Sequence, residues 1–367
     1  MSAPDDIPEP DRVPGAPHPR MAPRVIGQAA AVADFVSAAR SQRLHHGWLI
    51  TGPRGVGKAT LAWSIARWLL TGAESDDLTA PPDAPAARRI AALSEPNVML
   101  IRRPWDDKAR RLRAEITVDE IRKLLSFFHM SAAEGGRRIA IIDAADEMNT
   151  AAANALLKVL EEPPKDALIL MIAHQPARLL PTIRSRCREL RLTPLAPEHM
   201  GSVLQDLGSE DDPEKLAALA GGSVGEALRL AGQDGLARYQ DLIDLMDSLP
   251  AMDRQKALKL ADQAAKRADA DGDPFDLMVT LMDRLLSRLA RAGLMGAPLP
   301  QAAEREGRVM ARLSPDDRAA RDWAGAQAEL LARARIGRSV NLDPAALVMD
   351  MLTELAHLPP AQSARTS

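Results

Sequence analysis

The sequence predicts an α/β protein: a doubly wound parallel sheet, then one small and one larger helical domain. Three observations carry this prediction. Apolar runs of strand length alternate with helix-period segments up to about residue 195, the pattern of a parallel sheet with helices on both faces. Strand signals then stop near Pro197, and everything to about Leu358 reads as helices punctuated by Gly221-Gly222, Gly232, Pro250, Gly272 and Pro298. Aromatic residues are only 3% of a chain that is 46% hydrophobic, so the core must rest on Ala, Leu, Ile, Val and 15 Met. That suits close-packed helices better than a β-sandwich.

The elements follow in order. Pro and charge dominate residues 1–23, which are expected to form a disordered tail. A helix over Ala29–Arg43 precedes the strand Trp48–Thr51, which runs into Gly52. Leu61, Ile65, Ala66, Leu69 and Leu70 give Thr60–Leu70 a helical period. Gly72–Pro85 reads as a loop and Val98–Ile101 as a strand. Thr117-Val-Asp-Glu120 has the form of a capping box opening a helix over Val118–Phe128. Two further buried strands, Arg138–Ile142 ending in Asp143 and Leu168–Ala173, flank a helix over Thr150–Glu161 that Pro163-Pro164 stops.

Composition excludes several classes. Lys and Arg total 47 against 50 Asp and Glu in 367 residues, a net charge of −3, so no global basic field points to nucleic acid. The run Arg88–Arg113 is locally basic, and a solvated loop is the expected reading over a DNA-facing one. The single cysteine, Cys187, leaves no disulfide framework and no Cys-rich zinc module, and it fits a reducing cytoplasm. No apolar run approaches the ~20 residues of a membrane span, and no membrane association is expected.

Chemistry concentrates in Gly52-Pro53-Arg54-Gly55-Val56-Gly57-Lys58-Ala59-Thr60, set between a strand and a helix as a P-loop must be. Backbone amides of such a loop close on phosphate oxygens, and Lys58 supplies a point charge. The residue after Lys58 should carry the hydroxyl that ligates Mg²⁺, yet it is Ala59. Thr60 lies about 100° further round the helix and is a poor substitute. Asp143 ends a Walker-B strand, but Ala144 stands where a glutamate would activate water, followed by Ala145 and Asp146. Phosphate binding without turnover remains open on these residues, with no metal ligand set and no required cofactor.

Ala151–Pro164, with Asn154-Ala-Leu-Leu157-Lys158 and Glu161-Glu162-Pro163-Pro164, and then Thr182-Ile-Arg184-Ser185-Arg186-Cys187 closely resemble the clamp-loader subunits of bacterial replicases. The resemblance spans about Val25 to Leu358. It implies an AAA+ P-loop domain over 24–195, a helical lid over 196–235, a helical oligomerisation collar over 236–358 and a tail over 359–367. The working ATPases of that family, gamma and tau, should have a Ser or Thr after the P-loop lysine and a glutamate after the Walker-B aspartate. They should also have a cysteine tetrad and a lid arginine where Gly225 stands. The sensor position after the fourth strand holds His174. Joint loss of these groups implies a subunit that does not hydrolyse ATP. Ser185-Arg186-Cys187 implies an arginine inserted in trans into a neighbour's ATP site, for which a planar, always-charged fork is suited. The implied partners are delta and gamma/tau in a five-membered ring, with the sliding clamp and primed DNA met through the complex. An independent P-loop ATPase is the alternative.

Overall fold

The computed structural model describes residues 9, 12–13, 16–41, 44–129, 136–209, 211–268 and 272–358. They divide into two units. The first is Met1–His199 with the strip Ser223–Gly225, and the second is Met200–Gly222 with Glu226–Ser367. Among the described residues, no helix is long and apolar enough to cross a membrane.

The first unit opens with α1 (Ala29–Arg40), β1 (Gly47–Thr51), α2 (Lys58–Thr71) and α3 (Pro85–Ala91). The edge strand β2 (Val98–Ile101) and a small hairpin, β3 (Trp105–Asp106) and β4 (Arg111–Leu112), come next. Then follow α4 (Val118–His129), β5 (Arg138–Asp143), α5 (Thr150–Glu161), β6 (Ala167–Ala173), α6 (Pro181–Arg184) and β7 (Arg188–Arg191). Five strands form one parallel sheet in the order β2-β5-β6-β1-β7. The three inner strands are buried along their whole length, which is why they read as unbroken apolar runs. One face of the sheet is filled by Ala152, Ala153, Leu156 and Val159 of α5 with Ile121 and Leu124 of α4.

Two features depart from expectation. The sheet has a fifth strand, β7, because Arg188-Glu189-Leu190-Arg191 pairs with Trp48–Thr51. An edge strand needs only one buried side chain, here Leu190, and its charges hide it from a search for apolar runs. The expected tail is also folded over residues 16–23. His18 is buried, a single helical turn spans Pro19–Met21, and Arg67 donates to the carbonyls of Arg20 and Ala22 at 2.5 and 2.6 Å. Arg67 is itself buried, so its guanidinium must find acceptors, and this segment provides them. The rest of the expected tails, 1–8 and 359–367, lies outside the described residues, as do 42–43 at the expected end of the first helix.

The second unit is helical. The chain enters it within α7 (Pro197–Asp206) and continues through α8 (Pro213–Ala220), α9 (Val224–Gly232), α10 (Gly235–Asp247) and α11 (Arg254–Ala264). It ends with α12 (Pro274–Met295), α13 (Glu306–Leu313), α14 (Asp317–Ser339) and α15 (Pro344–His357). The Met-bearing helices pack inward, with Met246, Met278 and Met282 all buried.

At the centre of this unit is an ion pair. Glu306 is fully buried and accepts from Arg288 Nε at 2.6 Å, Arg288 Nη2 at 3.0 Å, the Tyr239 hydroxyl at 2.7 Å and the Ala302 amide at 2.6 Å. Arg288 also donates to the carbonyls of Ala218 and Pro300, so one guanidinium joins α8, α12 and the segment before α13. Every partner is satisfied, and losing one would strand a buried charge. Arg288→Ala should therefore destabilise the chain by about 3–5 kcal/mol in chemical denaturation. A loss below about 1 kcal/mol would mean that the pair behaves like a surface one.

Candidate functional site

The P-loop leaves the C-terminal end of β1, where Asp143 ends β5 and His174 follows β6. The register sets Thr51 beside Ala173 and Asp143 beside Ile172, so the three strand ends converge. This is the crevice in which an open α/β sheet binds ligands.

The loop is satisfied from within. Lys58 is only 3% exposed, and its Nζ donates to the carbonyls of Gly52 at 2.7 Å and Pro53 at 2.5 Å. Burial pushes its ammonium pKa down to about 8, against the opposing pull of Asp143 and Asp146. Ala59 offers no hydroxyl, and Ala144 is buried beside the Walker-B strand end. Arg54 points to solvent, with Glu147 3.8 Å away. On the outer side, the Gly225 amide donates to the Gly55 carbonyl at 3.2 Å. A Cβ on Gly55 would lie 2.2 Å from Ser223 Oγ, so only glycine admits this strip against the loop.

Asp146 has a structural task. Its two carboxylate oxygens accept the amides of His174 and Gln175 at 3.0 and 2.9 Å, tying the Walker-B turn to the end of β6. His174 follows at the sensor position, and burial, with Lys58 and Arg54 adding, lowers its pKa to about 4. It is neutral at physiological pH and contributes no charge to the crevice.

Arg186 lies elsewhere. It precedes β7, whose Arg188 pairs with Trp48, and its carbonyl is 3.4 Å from where a Gly47 Cβ would be. Gly47 begins β1 and Gly52 follows its end, five residues at about 3.3 Å each, or roughly 16 Å apart. Arg186 and the phosphate loop therefore occupy opposite ends of the same strand. The Thr182 carbonyl accepts both Ser185 Oγ and Arg186 Nη1 at 3.1 Å, and Arg186 Nη2 is 2.8 Å from Glu161 Oε1. Cys187 is half-buried and packs against the core of the sheet, and burial raises its thiol pKa to about 12.

The basic run is not the loop expected of it, since it holds the end of α3, β2 and the β3–β4 hairpin, and part of its charge is paired. Of its eight cations, Arg89 pairs with Glu95, Arg102 with Glu9, Arg103 with Glu147 and Arg113 with Asp106. The Ala-rich α5 is mainly core, and its N-terminus is capped by Asn149, which accepts the Ala152 amide.

Residues 27–196 match the family described as DNA polymerase III, delta subunit. The delta-prime subunit of DNA polymerase III from Pseudomonas aeruginosa is 39% identical over 193 residues, covering 51% of this chain and 56% of that protein. Over roughly its first half the chain is thus similar to delta-prime subunits of DNA polymerase III. The delta-prime subunit of Bacillus subtilis is 32% identical over 198 residues, again 56% of its own length. The chain thus spans little more than half the length of these curated relatives. A tau subunit from Salmonella typhimurium is 29% identical over 321 residues, 79% of this chain and 47% of tau. Glu147 is a site neighbour outside the motifs, and Glu161 and Ser223, which lie within motifs, have contacts that the motifs do not assign to them. Each reaches the site by a long-range contact with no local periodicity to announce it.

The state of His174 makes a pH prediction. Between about pH 6.5 and 4 the unfolded imidazole takes up a proton that the folded one refuses, so stability falls as pH falls through that window. In urea titrations at stepped pH, His174→Asn should lack this component. A difference between wild type and variant that stays flat from pH 7 to 4 would contradict it.

Proposed function

We propose that this chain is a non-hydrolysing clamp-loader subunit of the delta-prime type. It takes a place beside delta and gamma/tau in a five-membered ring and presents Arg186 to the ATP site of a neighbouring gamma/tau subunit. The observation that carries the reading is the placement of Arg186 at the far end of β1 from its own loop. An arginine so placed serves no nucleotide held by its own chain. Its guanidinium is half-exposed and offers a fork of donors to charge developing on a γ-phosphate.

The chain's own crevice does not fit a magnesium nucleotide poised for hydrolysis. Lys58 is held by two carbonyls, the metal-ligating hydroxyl is missing at Ala59, and no base stands at Ala144. A phosphate group would have to draw Lys58 away from Gly52 and Pro53 and displace the Ser223–Gly225 strip from Gly55. Nucleotide binding without turnover is compatible with the reading and is not needed by it.

Ring assembly is assigned to the helices from residue 236 to 358. Leu294, Met295 and Leu299, and separately Ile336, Val340 and Leu342, are large apolar side chains left exposed there. Such surface suits burial between subunits. The clamp and primed DNA are met through the complex, and the chain's role in replication is carried out in the cytoplasm.

Two measurements test this. The purified chain should turn over ATP no faster than its Lys58→Ala variant, and Lys58-dependent turnover would instead support a gamma-like motor. In a reconstituted complex with only this subunit altered, Arg186→Ala should assemble normally yet load clamps poorly. A trans arginine contributes roughly 10³–10⁵ in rate at the site it serves. Only one of several sites loses its arginine, so total ATP turnover should fall by less than that. Arg186→Lys should rescue little, because a point charge lacks the planar fork. Wild-type loading by the Arg186→Ala complex would make the motif a relic.

A further inference from the structure

Arg186 is held from two sides, and we infer that Glu161 is a positioning residue that sets the plane of its guanidinium for the neighbour's triphosphate. The inference rests on the trans role proposed above for Arg186. Each terminal nitrogen has a separate anchor, Nη1 the Thr182 carbonyl at 3.1 Å and Nη2 the Glu161 carboxylate at 2.8 Å. The anchors come from different elements, α6 and the last residue of α5, so together they fix both direction and roll. A guanidinium has five N–H donors, and two anchors leave three for an incoming anion.

Glu161 is itself on a rigid mount. The Leu160 carbonyl beside it lies 2.9 Å from His46 Nε2, a contact that requires the proton on that nitrogen. Burial lowers the His46 pKa, which keeps the ring neutral in that role. Next in the chain, Gly47 leaves room that a Cβ would close. Such a Cβ would lie 3.0 Å from Leu160 Cδ2 and 3.4 Å from the Arg186 carbonyl. The end of α5 and the Arg186 turn are thereby seated on the same few atoms at the start of β1.

The ion pair is 36% exposed on the arginine side and 49% on the glutamate side, so it contributes little to folding. Its value lies in orientation: an arginine that must find its plane after docking acts on fewer encounters. Glu161 as a competitor that holds Arg186 away from phosphate would predict the opposite sign.

The test uses a reconstituted complex in which only this subunit carries Glu161→Gln, Glu161→Asp, Arg186→Ala, or Glu161→Gln with Arg186→Ala. Glu161→Gln should lower clamp loading on primed DNA roughly two- to fivefold, the rate equivalent of an exposed ion pair. The KM for ATP and the thermal midpoint should not change, because the interaction matters as transition-state charge develops. Glu161→Asp, which keeps the charge on a shorter arm, should recover part of the loss. The double variant should match Arg186→Ala alone. Loading by Glu161→Gln at or above wild type, or a loss that adds to that of Arg186→Ala, would overturn the positioning role while leaving the trans arginine standing. An inert Arg186→Ala would instead remove the trans reading and this one with it.

Discussion

Everything functional in the first unit depends on how β1 is paired. It lies between β6 and β7 in parallel register, with Gly47 opposite Ile169 at one end and Thr51 opposite Ala173 at the other. Parallel pairing sends all C-terminal strand ends to one edge of the sheet and all N-terminal ends to the other. The phosphate loop, Asp143 and His174 belong to the first edge. Arg186, Glu161 and Gly47 belong to the second. The sheet therefore has two chemically distinct rims, one with the glycine-rich loop and one with the Arg186 guanidinium.

On the first rim, the polar groups of the crevice are bonded within the chain. Lys58 bonds carbonyls of its own loop, Asp146 binds two amides after β6, and Glu147 lies within reach of Arg54 and Arg103. A buried polar group without a partner costs free energy. Here partners within the chain meet that cost. The crevice thus has the architecture of a phosphate site, with Ala59 and Ala144 where a hydroxyl and a base would stand.

Much of this was legible in the sequence, and the remainder was not for physical reasons. The inner strands, the helix Thr150–Glu161, the P-loop and the Ser185-Arg186-Cys187 turn are encoded by short spacings or apolar runs, and each lies where those patterns put it. The missed strand β7 has one buried side chain among three charged ones, so it carries no hydrophobic signature. Contacts such as Glu161 with Arg186, or Ser223 against Gly55, join residues 25 and 168 positions apart. No local period encodes such a meeting; the chain trace alone brings them together. Asp146 stands in the degenerate Walker-B turn with no role that its spacing assigns, and its two amide partners reveal its structural task.

The segment tied down by Arg67 has a practical meaning for anyone drawing a boundary on this protein. The family match begins at residue 27, and composition alone would place the first ordered residue near there. The folded body begins earlier, since the carbonyls of Arg20 and Ala22 are the acceptors for a buried guanidinium, and Arg20 in turn reaches Glu9 at 2.8 Å. Trimming the gene to the recognisable domain would leave that guanidinium facing an empty groove. The start of the family match and the start of the packed chain are different lines here, and an expression clone should respect the second.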